Sequence, residues 1–344
     1  MFEDKRLCWF LYRKVSIMAD ISVDYMGLKL SSPVIAGSST LTKDMDRLKK
    51  AEDAGAGAVV LKSLFEEEIR QDMGDDLDGS YHPEAYDYML ADAAMVYGSG
   101  EYLDYVKRAS ETVGIPVIAS INCEGSRWWA SFAGSIEEAG ADALELNIAF
   151  NPFDAEIDGA AAEQKYIDVL KDVKKAVRIP VGVKIGPNFS AIPNMVKRLE
   201  DAGADSVTMF NKYFQLKINT RTLELEPVHT FSAPEDAYRV LRWVAVTSRQ
   251  CGVDISASTG VYDEDMLIQY LLAGAKTVQV TSALYKNGMS VISDLNSGLE
   301  AWMKQRHVDS LNDVIGLATR KKIKQVQSFE RLQYIKIADG AIFQ

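Results

Sequence analysis

Residues 137–147, EEAGADALELN, decide how the chain is read, because the phrase returns: EDAGAGAVVLK at 52–62, EDAGADSVTMF at 200–210 and LLAGAKTVQVT at 271–281. Each copy begins as a helix and stops at Ala-Gly, where Gly55, Gly140, Gly203 or Gly274 can take the left-handed cap, before a β-prone run begins. Self-similarity of this kind marks a supersecondary unit used repeatedly. A second phrase serves two further junctions. GIPVIASIN at 114–122 and RIPVGVKIG at 178–186 place a proline where a helix must end and where a strand's first residue tolerates a missing donor.

SPVIAGSS at 32–39 and VDISASTGV at 253–261 complete the set, so eight strands alternate with helical segments: Val34 to Ser38, Val59 to Lys62, Val117 to Asn122, Ala143 to Phe150, Val181 to Ile185, Val207 to Asn211, Ile255 to Gly260 and Val278 to Ser282. The runs read as apolar on both alternations, which predicts parallel strands covered by helices. Eight such units predict an α/β fold, a (β/α)8 TIM barrel. A doubly wound sheet is disfavoured, since no G-x-G-x-x-G follows a strand and the repeats do not pause at a switch point. The barrel is expected over 18–307, after a disordered or mis-started tail at 1–17 and before a C-terminal helical extension at 308–344 that caps the barrel or adds to a dimer surface.

The chain has 344 residues, 47% hydrophobic and 25% charged, with a net charge of −11. That acidic balance, with a pI near 4.9, argues against a nucleic-acid binder. The one basic run, Arg320 to Lys324, reads as a solvated helix face. Three scattered cysteines (Cys8, Cys123, Cys251) and three histidines (His82, His229, His307) make neither a disulfide framework nor a metal site, and a reducing, cytoplasmic setting fits. Four thiolates for an iron–sulfur cluster are lacking. No apolar run suits a membrane span, and the first seventeen residues lack the core of a signal peptide.

Two connections are long. The second, Phe65 to Gly98, carries DMGDDLDG, whose aspartates miss EF-hand offsets and read as a solvated loop; the sixth spans Lys212 to Ala233. Both leave the C-terminal ends of strands, where this fold places its site, and read as lids or subunit contacts.

Polar residues collect at those strand ends: Ser38, Ser39, Lys62, Ser63, Asn122, Asn147, Lys184, Asn211, Thr259, Gly260, Thr281 and Ser282. A lysine inside VGVKIG would cost several kcal/mol if buried without a partner. Lys184 therefore needs either an anionic ligand, such as a flavin N1/O2 edge that gains negative charge on reduction, or a salt bridge to a neighbouring strand, with Glu145 the candidate. Lys62 poses the same choice. Ser258-Thr259-Gly260 and Thr281-Ser282 offer hydroxyls and backbone donors after strands seven and eight, suited to a phosphate or to plain N-caps.

In this order the residues resemble the dihydroorotate dehydrogenase family, from about Ile21 to Arg306, through YMGLKLSSPVIAGSS, VVLKSLF, ALELNIAFNP, IPVGVKIGPNF, VTMFN, ISASTGV and AGAKTVQVTSAL. The resemblance implies FMN at the mouth of the barrel, with Ser38, Ser39, Lys62, Ser63, Asn122, Asn147 and Lys184 around the ring. It places Ser258, Thr259, Gly260, Thr281 and Ser282 at the phosphate, Lys62, Asn147 and Asn211 at the substrate, and Lys62 among the catalytic residues as well.

The family's loop after strand four usually reads Asn-Leu-Ser-Cys-Pro-Asn, the cysteine or a serine taking the substrate proton. Here Phe150 holds that position and cannot accept one, so the catalytic base is unassigned and the sequence resembles a divergent, dihydroorotate dehydrogenase-like branch. Asp154, Glu156, Asp158, Tyr213 and His229 are further carboxylate, phenol and imidazole candidates, each of which also suits a structural or solvated role.

The expected function is FMN-dependent hydride transfer between flavin N5 and a CH–CH bond of a small polar, dihydroorotate-like substrate, by a homodimer using no metal. Two alternatives stand beside it. One is an FMN-binding member without dehydrogenase activity that serves as a binding or partner module; the other is a sugar-phosphate-binding barrel without flavin.

Overall fold

The computed structural model describes residues 19–65, 99–123, 129–148, 150, 154–212, 215–228 and 231–319. The N-terminal tail, the acidic run of the second connection, Tyr213, His229 and the chain from Arg320 onward lie outside the described residues.

The chain opens with an antiparallel hairpin, β1 (Val23–Tyr25) and β2 (Leu28–Leu30). Next come β3 (Val34–Ala36), α1 (Met45–Asp53), β4 (Ala58–Val60), a two-residue β5 (Leu64–Phe65) and α2 (Ser99–Thr112). They are followed by β6 (Val117–Cys123), α3 (Trp129–Glu138), β7 (Ala143–Ile148), α4 (Gly159–Ala176), β8 (Val181–Ile185), α5 (Ile192–Asp201) and β9 (Ser206–Met209). After a second hairpin, β10 (Gln215–Ile218) and β11 (Leu225–Val228), come α6 (Asp236–Thr247), β12 (Asp254–Ser258), α7 (Glu264–Ala273), β13 (Thr277–Val280), α8 (Ser282–Asn287) and α9 (Val291–Gln305).

The predicted strands all form and close a parallel barrel in the order β3, β4, β6, β7, β8, β9, β12, β13 and back to β3. The repeated Ala-Gly acts as expected, with Gly55, Gly140, Gly203 and Gly274 all at left-handed φ between 86° and 111°. Six of the strands end earlier than the sequence suggested, so Ser38, Lys62 and Asn211 stand just past the ladder, on the rim. The sixth connection, read as a loop, contains the β10–β11 hairpin. Its Lys217–Glu226 pair (2.9 Å) occupies one face, and Leu216, Ile218 and Leu225 are exposed on the other.

One expectation is corrected. Apart from β3 and β4, the strands are not apolar on both alternations: their outward residues, such as Leu144, Leu146, Val181, Val183, Ile185 and Val207, are apolar, whereas the inward ones are mostly polar. Register places Asn122, Asn147, Lys184 and Thr208 side by side in one row, and Ser120, Glu145, Gly182 and Ser206 in the row below. Successive side chains in a strand point to opposite faces, so both rows share the barrel axis. Short runs with one or two polar letters look apolar when counted by composition, and only the parity separates the faces.

The first hairpin plugs the end of the barrel opposite the mouth. Tyr25 is fully buried and donates its hydroxyl to Ser206 Oγ at 2.9 Å, and the Met26 amide donates to Asp254 Oδ2 at 2.9 Å. Gly182 makes room, since a Cβ there would lie 2.4 Å from Ser206 Oγ and 3.3 Å from Met26 Cε. Burial pushes the Tyr25 phenol far above its ordinary range, which keeps it a neutral donor.

The described part of the C-terminal stretch, to Thr319, joins the same end. It forms a single 3-10 turn at Leu311–Asp313, and the Gly316 amide donates to Leu271 O at 2.8 Å, at the end of α7. Among the described residues no helix is long and apolar enough to cross a membrane.

Tyr25→Phe should lower unfolding stability by about 1–3 kcal/mol, because the buried Ser206 hydroxyl loses its partner. Urea unfolding followed by tryptophan fluorescence measures this, and an unchanged midpoint would mean that the hairpin does not seal the barrel.

Candidate functional site

At the C-terminal ends of the strands lies one cavity of roughly 540 Å³, counting the space open to solvent. Ser38, Ser39, Lys62, Ser63, Asn122, Asn147, Lys184 and Asn211 all line it, from the tips of β3, β4, β6, β7, β8 and β9. Phe65, Glu145 and Lys212 line it too. Its wall is tied across strands. Ser38 Oγ and Ser63 Oγ lie 3.1 Å apart, Ser63 Oγ and Ser120 Oγ 2.7 Å apart, and Asn211 Nδ2 donates to Asn147 Oδ1 at 3.0 Å. Lys62 Nζ sits 5.5 Å from the centre of the Phe65 ring, a cation–π distance.

The alternatives for Lys184 separate here. Lys184 is 9% exposed, and its ammonium meets Gln279 Oε1 at 3.4 Å instead of the Glu145 carboxylate. Gln279 Nε2 in turn donates to Glu145 Oε2, which also accepts from the Thr208 hydroxyl at 2.9 Å. In place of a direct salt bridge to Glu145, one of the two alternatives, an amide stands between the two charges. Three cavity atoms or near neighbours are buried without a hydrogen-bond partner: Ser39 Oγ, Asn122 Nδ2 and Glu145 Oε1.

Ser258, Thr259, Gly260, Thr281 and Ser282 do not line this cavity; they form a second group at the adjoining turns after β12 and β13. The Gly260 amide donates to Ser232 Oγ at 3.2 Å, and the Ser232 amide and hydroxyl donate to Ser282 Oγ at 3.1 and 2.9 Å. Thr259 has φ 89° and Gly260 φ 74°, so a β-branched residue sits in the left-handed region with its hydroxyl bonded to Phe210 O at 3.3 Å. Gly37, across from them, leaves space for Thr281, because a Cβ at Gly37 would stand 2.5 Å from Thr281 Oγ1.

Phe150 is half-buried and does not line the cavity; the Lys165 ammonium lies 3.6 Å from its ring centre, and its carbonyl accepts from the Tyr166 hydroxyl at 3.3 Å. Asp154 and Asp158 accept backbone N–H groups of Glu156 and Ala161, at 2.9 and 2.7 Å. They hold the turn before α4, and neither they nor Glu156 line the cavity. Tyr213 and His229 lie outside the described residues.

Sequence reasoning missed Lys212, Gln279 and Ser232. Gln279 had a readable signal as the single polar letter in Thr277–Val280 that is neither small nor hydroxylic, and Lys212 directly follows the strand-six asparagine. Lys212 Nζ contacts Asp236 Oδ2 at 2.8 Å and Phe231 O at 3.2 Å. Burial alone would raise the Asp236 carboxyl, but the Lys212 ammonium and the Ala233 amide outweigh it and hold the group below the ordinary range.

Two measurements follow from these turns. Gly260→Ala should cost about 1–3 kcal/mol, because its Cβ would meet Ala237 Cβ at 2.8 Å, whereas Thr259→Gly should be neutral or stabilising in thermal unfolding. The Lys212–Asp236 tie should contribute in full above the unfolded aspartate value of about 3.9 and be lost as pH falls through the lower folded value. Comparing the acid limb of unfolding in wild type and Asp236→Asn checks the sign.

Comparison with known proteins agrees with this architecture. Residues 20–303 match the family model described as dihydroorotate dehydrogenase. Among similar proteins is the dihydroorotate dehydrogenase B (NAD(+)) catalytic subunit of Thermoplasma volcanium, 26% identical over 315 residues that cover 88% of this chain and 100% of that one. Proteins of the same description from Thermoplasma acidophilum and Pyrococcus abyssi are 27% identical over 315 residues (88% and 100% covered) and 28% over 308 (87% and 99%). With the family match running from the first hairpin almost to the end of α9, the chain belongs to the dihydroorotate dehydrogenase family, a family of flavoprotein oxidoreductases acting on CH–CH donors.

Proposed function

We propose that this chain is an FMN-dependent oxidoreductase that acts on a CH–CH bond of dihydroorotate or a closely similar small anionic ring. The observation that carries this reading is the pair of buried lysines, Lys62 and Lys184, each 9% exposed, at one cavity whose Ser39 Oγ and Asn122 Nδ2 lack partners. A buried donor or acceptor left unmade costs about 1–3 kcal/mol, so these atoms fit a ligand that is polar along its edge. Two buried ammoniums, three carboxamides and several hydroxyls match a flavin pyrimidine edge together with an anionic substrate.

In this reading FMN, when bound, supplies the hydride-accepting or hydride-donating centre. Lys184 and Asn122 hold the ring's polar edge, and Ser38, Ser39 and Ser63 line its side. The turns carrying Ser258, Thr259, Gly260, Thr281 and Ser282 take the phosphate, with Ser232 linking the Gly260 amide, from which it accepts, to the Ser282 hydroxyl, to which it donates. Lys62, Asn147 and Asn211 bind the substrate, and Lys212 adds a third ammonium to the cavity wall. Phe150 handles no proton, and lies away from the cavity.

The relatives are named as dehydrogenase catalytic subunits, which lends nothing to the alternative of a binding module without activity. Those names imply a second kind of subunit in the relatives, and we read a redox partner subunit for this chain as well. The exposed apolar face of the β10–β11 hairpin supports a homodimer. On that reading Leu216→Glu with Leu225→Glu should give a smaller species in sedimentation velocity, while an unchanged mass would assign the hairpin another role.

Purified protein should show a flavin spectrum that bleaches on anaerobic addition of dihydroorotate. Lys184→Ala should bind FMN at least tenfold more weakly, as expected for a lost charged contact of about 1.4 kcal/mol or more. Bound flavin that stays oxidised would mean a different substrate. A colourless protein that takes up no FMN would overturn the proposal.

A further inference from the structure

Beneath the cavity floor, one amide stands between two opposite charges. Lys184 Nζ can only donate, and a carboxylate can only accept. Gln279 turns Oε1 to the lysine at 3.4 Å and Nε2 to Glu145 Oε2. The opposite flip would set donor against donor and acceptor against acceptor, so chemistry dictates the orientation. Thr208 closes the arrangement by donating to the same carboxylate oxygen at 2.9 Å and lying 3.3 Å from Gln279 Nε2.

Every member is buried and Glu145 is 3% exposed, where the effective dielectric is low and a charge is felt strongly by its neighbours. A structural lysine would be neutralised most directly by a carboxylate at contact. Here the carboxylate is held one amide away, which leaves the ammonium charge partly uncompensated at the cavity.

Resting on the flavin reading above, we propose that Glu145 is a positioning residue for Lys184: acting through Gln279, it holds the ammonium at the cavity floor and offsets part of its charge, thereby setting how strongly the site prefers reduced over oxidised flavin. A more positive floor favours the reduced ring, which carries additional negative charge along its N1/O2 edge. Glu145→Gln keeps the shape and removes the negative charge; Lys184→Met keeps the length and removes the positive one.

The test is a double-mutant cycle on the FMN-loaded protein, reading the two-electron midpoint potential against a reference dye and the affinity for oxidised FMN. Glu145→Gln should raise the ratio of reduced to oxidised affinity tenfold or more, an upward shift of about 30 mV, and Lys184→Met should lower it. In the Lys184→Met background the same Glu145 substitution should change the ratio by less than about threefold, because the group through which it acts is gone.

No shift in Glu145→Gln, or the same shift with and without Lys184, would overturn the proposal. Wild-type protein that binds no flavin would count against the proposed function and not against the relay. The relay is then decided by crystal structures of the ligand-free wild type and Glu145→Gln. A Gln279 that loses or reverses its bridge in the variant, beside a Lys184 still at the floor, supports the relay, and a Gln279 whose contact with Lys184 is unchanged overturns it.

Discussion

Closure of the sheet is the constraint on which the rest depends. Once β4 pairs with β6 and β3 with β13, every strand has both neighbours, and alternate residues of each are committed to the axis or to the helices. The outward set is apolar and packs against the surrounding helices. The inward set is enclosed whatever its chemistry, and in this chain it includes Ser120, Asn122, Glu145, Lys184, Ser206, Thr208, Ser256, Thr277 and Gln279, all buried. A polar axis is stable only if its groups meet one another or a ligand.

The two ends of the axis meet that demand differently. At the floor the first hairpin brings Tyr25 to Ser206 and the Met26 amide to Asp254, which seals the barrel with neutral donors. At the mouth the sealing is incomplete. Lys184 is tethered by a single long hydrogen bond, Ser39 Oγ and Asn122 Nδ2 have none, and the space beside them is open. The same polar interior therefore acts as a support at one end and lines an open cavity at the other.

Phe150, which follows β7, stands apart from the chemistry at the cavity. The barrel agrees with the family match, and Phe150, whose side chain accepts no proton, packs its ring beside Lys165 and does not line the cavity. Loops in this fold change without disturbing the strands, because the hydrogen bonds that hold the barrel end before the loops begin.

The sequence by itself determined the repeat, the eight strands and the residues at their tips, because Ala-Gly caps, strand-opening prolines and polar letters at strand ends are local signals. All eight residues expected at the ring and substrate do surround one cavity. Tertiary structure alone decided that Lys184 meets Gln279 and not Glu145, since Gln279 lies 95 residues away and reaches the lysine only through closure of the barrel. It also decided that the phosphate-type turns form a separate cluster around Ser232, and that Lys212 joins the cavity wall. Spacing along the chain specifies parity and caps; which side chains meet across the axis depends on strand order and stagger, which no local stretch encodes.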